Sequence, residues 1–206
     1  MRILGSALAP TLSLAVASAI ACAPAPPVRV GLVFGDDWAL GRVVLTGDEQ
    51  QRIKTATLTT LRRAFDRFDV DFAEDAQRDR LIRLNRFLFG AGSTVIGSKV
   101  SLVNLDSVHL TLLAVTGCQT MASCPAYSRD ALVDALGRGI GATAAHELGH
   151  QAGFEFTREL NCDDCFDGVT SKTRAHFFGD KHWSPGALAA MRRVLPVSAL
   201  ASHSGS

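Results

Sequence analysis

Ala144-Ala145-His146-Glu147-Leu148-Gly149-His150-Gln151-Ala152-Gly153 is the stretch on which the reading of this 206-residue chain turns. It contains His-Glu-x-x-His. On a helix, residues four apart share a face, so His146 and His150 can point at one ion while Glu147 projects beside them toward a water held by that ion. The chemistry asks for these residue types. Two neutral imidazole nitrogens hold Zn²⁺, the ion lowers the pKa of its water toward about 7, and the carboxylate takes the proton as the water attacks a polarised carbonyl. With six His and five Glu in the chain, the pattern arises in roughly 0.4 % of shuffled sequences, so composition is a poor explanation of it.

Outward from the motif, the apolar run Leu132, Leu136 and Ile140 leads into it at helical spacing, predicting a helix over 129–152. Gly137, Gly139 and Gly141 lie in that helix. Each costs about 1 kcal/mol relative to Ala, so packing must hold the helix or it bends there. Upstream, Val28 to Phe34 is β-branched and bounded by Pro and Gly, a first strand. Thr46-Gly-Asp-Glu49 is a capping box, and Ile53, Ala56, Leu58, Leu61, Ala64 and Phe65 recur at helical spacing, predicting a helix that runs to about Phe68. Val70-Asp-Phe-Ala reads as a second strand, and 80–88 is ambiguous. The alternating runs Val100-Ser-Leu-Val-Asn-Leu and Val108-His-Leu-Thr-Leu-Leu predict one or two strands within 94–115, with a turn near Asp106. A last helix is expected over 185–194, opened by Ser184 as N-cap and Pro185.

The stretch Ala-Ala-His-Glu-Leu-Gly-His-Gln-Ala-Gly resembles the active-site helix of zincin metallopeptidases, and His-Glu-x-x-His-x-x-Gly is closest to their metzincin branch, which includes matrixin-like bacterial proteins. The resemblance covers about ten residues. It implies an α+β fold in which a mixed twisted sheet lies beside the active-site helix, with a small C-terminal subdomain below a cleft. It also implies one Zn²⁺ per chain held by His146 and His150, with Glu147 as general base, and a peptide or protein substrate. An edge strand within 94–115 would align an extended substrate by strand addition. Gly153 would be the left-handed residue at which the helix ends.

The chain departs from that pattern at Phe156, which stands where metzincins place their third ligand, and it has no Met between Gly153 and the last helix. A third ligand then comes from Glu155, Glu159, the loop of Asp163, Asp164 and Asp167, His176, Asp180 or His182. His176 is the expected one, because it is an imidazole in a Gly-bounded loop that must return past the active helix; His182 is second. His109 reads as a structural or surface residue. Gly35-Asp-Asp-Trp38 reads as a turn after the first strand.

After Met1 and Arg2, residues 3–21 carry no charge and end at Cys22 and a Pro-rich stretch, which reads as an export signal over 1–21 and a tether over 22–27. An uncleaved membrane anchor is the alternative, weakened by Pro10 and by many small residues. Ala19-Ile20-Ala21-Cys22 resembles a bacterial lipobox, which implies a lipidated Cys22, a chain exported to the cell envelope or secreted, and membrane contact through that lipid alone. Five cysteines are an odd count; lipidating Cys22 leaves two close pairs, Cys118 with Cys124 and Cys162 with Cys165, for which an oxidising compartment favours disulfides. A four-cysteine zinc knuckle is the rival arrangement. The single domain is expected over 28–200, as a monomer, with a disordered tail over 201–206. The charge balance, 21 basic against 20 acidic residues, gives no footprint for nucleic acid. A non-catalytic envelope lipoprotein using the same scaffold as a binding module is the competing function.

Overall fold

Val30 and Leu32 alternate inward along the first strand and are almost fully buried, as suits β1 (Val28–Phe34), an interior strand of the sheet rather than an edge one. The computed structural model describes residues 25–40, 43–86, 91–94, 98–155, 161–168 and 173–198. The order of elements after β1 begins with the short hairpin β2 (Ala39–Leu40) and β3 (Val43–Val44), then α1 (Gly47–Ala64), β4 (Val70–Ala73), β5 (Arg80–Asn85), β6 (Gly92–Thr94) and β7 (Val100–Asn104). Helices α2 (Leu105–Thr116), α3 (Arg129–Gln151), α4 (Arg174–Phe178) and α5 (Pro185–Met191) complete the chain. The main sheet has the order β4-β1-β5-β7-β6, in which β6 alone is antiparallel and lies at the edge. The fold is α+β, as expected.

Helix α1 starts as its sequence dictates. Thr46 Oγ1 accepts from Glu49 N (3.3 Å) while Glu49 Oε2 accepts from Thr46 N (2.9 Å), closing the capping box. The helix stops at Ala64, short of Phe68. Phe65 and Phe68 continue the apolar pattern because they fill the core from the turn that follows; Phe65 meets Trp183 edge-on at 5.6 Å. Helix α3 then packs along α1, and its glycines are what let the two approach. A Cβ on Gly137 would lie 2.7 Å from Ala56 Cβ, and one on Gly141 would lie 2.6 Å from Thr60 Cβ. Thr57 Oγ1 uses the close approach to donate to Gly137 O at 3.1 Å. Packing therefore holds the glycine-rich helix, as the sequence requires.

The stretch that follows β7 differs from its predicted strand. Residues 105–116 form α2, capped at its start by Asn104, whose side chain accepts from Asp106 N and Ser107 N, and ended by Gly117 at φ 68°. Leu105, Val108, His109 and Leu112 are its buried face, an i, i+3, i+4, i+7 set, whereas Leu110, which an alternating strand would bury beside Val108, is 63 % exposed. His109 is thus a structural residue, on a helix rather than a strand. The ambiguous segment 80–88 is β5 over its first six residues, and the last helix ends at Met191 rather than at 194. The expected signal segment, Cys22 and the tail lie outside the described residues.

Two short loops are closed by disulfides, and the C-terminal part is tied to the rest by an aromatic anchor. Cys118 pairs with Cys124 and Cys162 with Cys165, which rules out the four-cysteine zinc knuckle. Trp183 Nε1 donates to Ala64 O at 2.8 Å, and the indole lies against Gly149, where a Cβ would come within 2.7 Å of it. The last turns of α3 are thereby fixed between the sheet and the segment that carries α4 and α5.

Candidate metal centre

Helix α3 carries the motif in its final two turns, and that end is clamped. Gln151 Nε2 donates to Leu81 O (3.2 Å) and to Ser101 Oγ (2.6 Å), and Arg80 Nη1 donates to Gln151 O (2.8 Å). Gly153 has φ 91°, the left-handed conformation expected of it. Phe154 N donates to Gly149 O (3.0 Å) and Gly153 N to His150 O (3.1 Å), the paired bonds of a Schellman turn. That turn brings the Phe154 carbonyl back to His150 Nδ1 at 2.9 Å and stacks the Phe154 ring on the imidazole at 5.2 Å. His146 Nδ1 is held in the same way by Phe166 O at 2.8 Å, from the loop closed by Cys162 and Cys165.

A carbonyl oxygen only accepts, so each Nδ1 carries its hydrogen and each neutral ring presents an Nε2 lone pair. The two Nε2 atoms face one another at 3.0 Å. Two lone pairs at that distance repel unless a cation lies between them. A proton is disfavoured at His146, because burial pulls its pKa below the usual imidazole range. A divalent ion satisfies both: tetrahedral nitrogen–zinc bonds of about 2.0–2.1 Å set the two nitrogens roughly 3.3 Å apart. The donor chemistry, the tautomers and the spacing fit Zn²⁺.

Glu147 is buried beside the pair and is oriented by the sheet. Its Oε2 accepts from Thr94 Oγ1 at 2.6 Å; Thr94 Oγ1 and Ser101 Oγ lie 2.6 Å apart, and Ser101 receives the Gln151 amide. Gly92 on β6 leaves room for the carboxylate, since a Cβ there would lie 2.3 Å from Glu147 Oε1. The edge strand is therefore β6, ahead of most of the 94–115 stretch where it was expected. Gly92, Thr143, His146, Glu147, His176 and Lys181 are among the residues lining a cavity of about 180 Å³. Its size suits one small side chain rather than a whole organic cofactor.

His176 lines the same cavity from α4 without joining the facing pair. Its Nε2 lies 2.9 Å from Gly139 O and 3.1 Å from Thr143 Oγ1, and burial lowers its pKa to about 3. Its Nδ1 has no hydrogen-bond partner. Among the described residues, three ligand atoms within 4.8 Å of one another occur at Cys162, Asp164 and Cys165 alone, and the two sulfurs there are bonded to each other. The other candidates have separate places. Asp167 is buried under the start of α5, accepting from Ser184 N (3.0 Å) and Ser184 Oγ (2.5 Å). Asp180 pairs with Arg63 at the surface, His182 is exposed near Asp164, and Glu155 is exposed; Phe156 and Glu159 lie outside the described residues.

No family model matches the chain, and a search of curated proteins finds no match.

Sequence reasoning placed His146, Glu147 and His150 together and missed what holds them. Thr94, Ser101 and Gln151 act across the sheet edge, and no spacing rule ties them to the motif. Lys181 also went unnoticed, a lone lysine in a loop with no pattern around it.

Proposed function

We propose that the chain is an exported zinc-dependent metallopeptidase, in which His146 and His150 hold the ion and Glu147 is the general base. The observation that carries this reading is the pair of Nε2 atoms facing each other at 3.0 Å with both Nδ1 hydrogens given to backbone carbonyls. Zinc bound there supplies a Lewis acid that makes its water a nucleophile near neutral pH. The protein's own groups do the rest. Thr94 holds Glu147 Oε2 while Oε1 lies over Gly92 at the cavity wall, so the carboxylate is oriented to take the proton and pass it to the leaving amine. An extended peptide laid along the outer edge of β6 gains main-chain hydrogen bonds and places one carbonyl beside Glu147. His176 remains the proposed third ligand through Nδ1, after a local rearrangement of α4. The uncharged stretch 3–21 and Cys22 support export and lipid anchoring, and no described helix is long and apolar enough to cross a membrane. The proposed chain acts as a monomer.

One observation favours a second reading, an envelope lipoprotein that keeps the scaffold as a binding module: no described residue completes a three-ligand cluster around the facing imidazoles. Metal analysis and peptide hydrolysis on the purified full chain separate the two. The peptidase requires about one zinc per chain and peptide cleavage that falls by about 10²–10⁴-fold in Glu147→Gln with zinc retained. Zinc without any cleavage establishes the binding module, and no zinc at neutral pH ends the metal reading.

A further inference from the structure

Lys181 is the one lysine or arginine among the described residues lining the cavity beside His146 and Glu147. Its backbone position is fixed, because His182 N donates to Asp164 O (2.9 Å) and Phe166 N donates to His182 O (2.8 Å), on either side of the parallel bridge between Cys165 and His182. The ammonium is half-buried and close enough to lower the proton affinity of both His146 and His176. Asp163, Asp164 and Asp167 attract it through space, yet Lys181 forms no ion pair or hydrogen bond with any described residue. Asp167 is itself engaged by Ser184. A cation held against a cavity wall with no partner among the described residues has paid part of its desolvation cost in advance, and an incoming anion recovers it. Burial pulls its pKa down to about 8, so at neutral pH it remains mostly charged.

We infer that this cavity takes a carboxylate of the substrate, carried next to the bond that is cut, with Lys181 as the residue that selects it. The inference rests on the peptidase reading for the word substrate, but the carboxylate site itself does not depend on turnover. A cavity of about 180 Å³ admits one short acidic side chain or the end of a chain. The shared chemistry is a carboxylate, and its two sources are an Asp or Glu side chain and a free C-terminus.

The test has an arm for each. Quenched peptides are compared as Asp/Asn and Glu/Gln pairs at each position near the cleaved bond, and as free acid against amide at the C-terminus. Wild-type protein is expected to prefer the acid in one of these comparisons by at least about tenfold in kcat/KM, and the preference is expected to shrink to about twofold in Lys181→Met. No acid preference in any comparison, or a preference that Lys181→Met retains, overturns the inference while leaving the peptidase standing. Independently of turnover, succinate and its monoamide are titrated into wild-type protein and followed by NMR at the Lys181 ammonium and the His176 ring. Saturable shifts with succinate that are at least about tenfold weaker with the monoamide support the site even if no peptide is cut; equal or absent responses sink it.

Discussion

Glu147 occupies a position that a single missing methyl makes possible. Gly92 lies where any Cβ would meet Glu147 Oε1 at 2.3 Å, so Gly92→Ala must push the carboxylate off its Thr94 contact or bend β6. Peptide hydrolysis in that variant is expected to fall by about 10²-fold, the scale of losing a positioned base, with zinc content measured as unchanged because both imidazoles lie on α3. A proportional loss of zinc would show instead that β6 shapes the metal pair. The three motif residues were legible from the chain because helical periodicity puts them on one face, whereas Thr94 and Ser101 reach Glu147 from another element, and such contacts leave no mark in local spacing. Gly92 is a middle case: a small residue on a short strand reads as a weakness until the group opposite it is known.

Helix α1 is joined to α3 at both its acidic start and its small-residue middle, and each joint makes a measurable claim. Glu49 accepts from Arg129 Nε (2.5 Å) and Nη2 (3.0 Å), and the Arg129 guanidinium holds its pKa down at about 2, with burial opposing. The folded value lies below the unfolded one, so this stabilisation is complete above about pH 4.5 and is lost as pH falls toward 2. It amounts to about 2 kcal/mol after allowance for the partial exposure of Arg129. Urea unfolding between pH 6 and pH 3 is expected to show Glu49→Gln losing that much at pH 6, with the gap from wild type narrowing toward the acid end. In the middle of the helix, Gly137→Ala would gain about 1 kcal/mol of helix propensity. The new Cβ meets Ile53 O at 2.8 Å and Ala56 Cβ at 2.7 Å, and overpacking against backbone costs about 1–3 kcal/mol. A net destabilisation, read as a lower urea midpoint, is therefore expected, and a more stable variant would contradict the close crossing. Element α2 shows where pattern reading goes astray. Val108, Leu110 and Leu112 alternate, but His109 joins the buried face and Leu110 leaves it, so counting His109 as apolar, with Asn104 and Gly117 as caps, recovers the helix.

Across the whole molecule, the sheet order decides how the site is presented. The parallel strands β4, β1, β5 and β7 need crossovers, and α1 supplies the first of them, which leaves β6 as the antiparallel strand at the margin, with no further strand paired to it among the described residues. The outline of this arrangement was readable in the chain; the three-residue β6 was not, because so short a run cannot be told from loop by periodicity. Zinc is expected to raise the melting temperature by about 5–10 °C at a hundredfold excess over its dissociation constant, from about 2.7 kcal/mol of binding to the folded state alone. Circular dichroism of chelated protein is expected to match that of the loaded form.

That second expectation comes from the bonds that fasten Gln151 to Leu81, Ser101 and Arg80. They involve no ligand, so the end of α3 that carries His146 and His150 is held in place before anything enters. Under the proposed export and zinc binding, a chain that folds first and is charged later has no need to carry its ion through a secretion channel, and can take one from its surroundings at a speed set by encounter rather than by refolding.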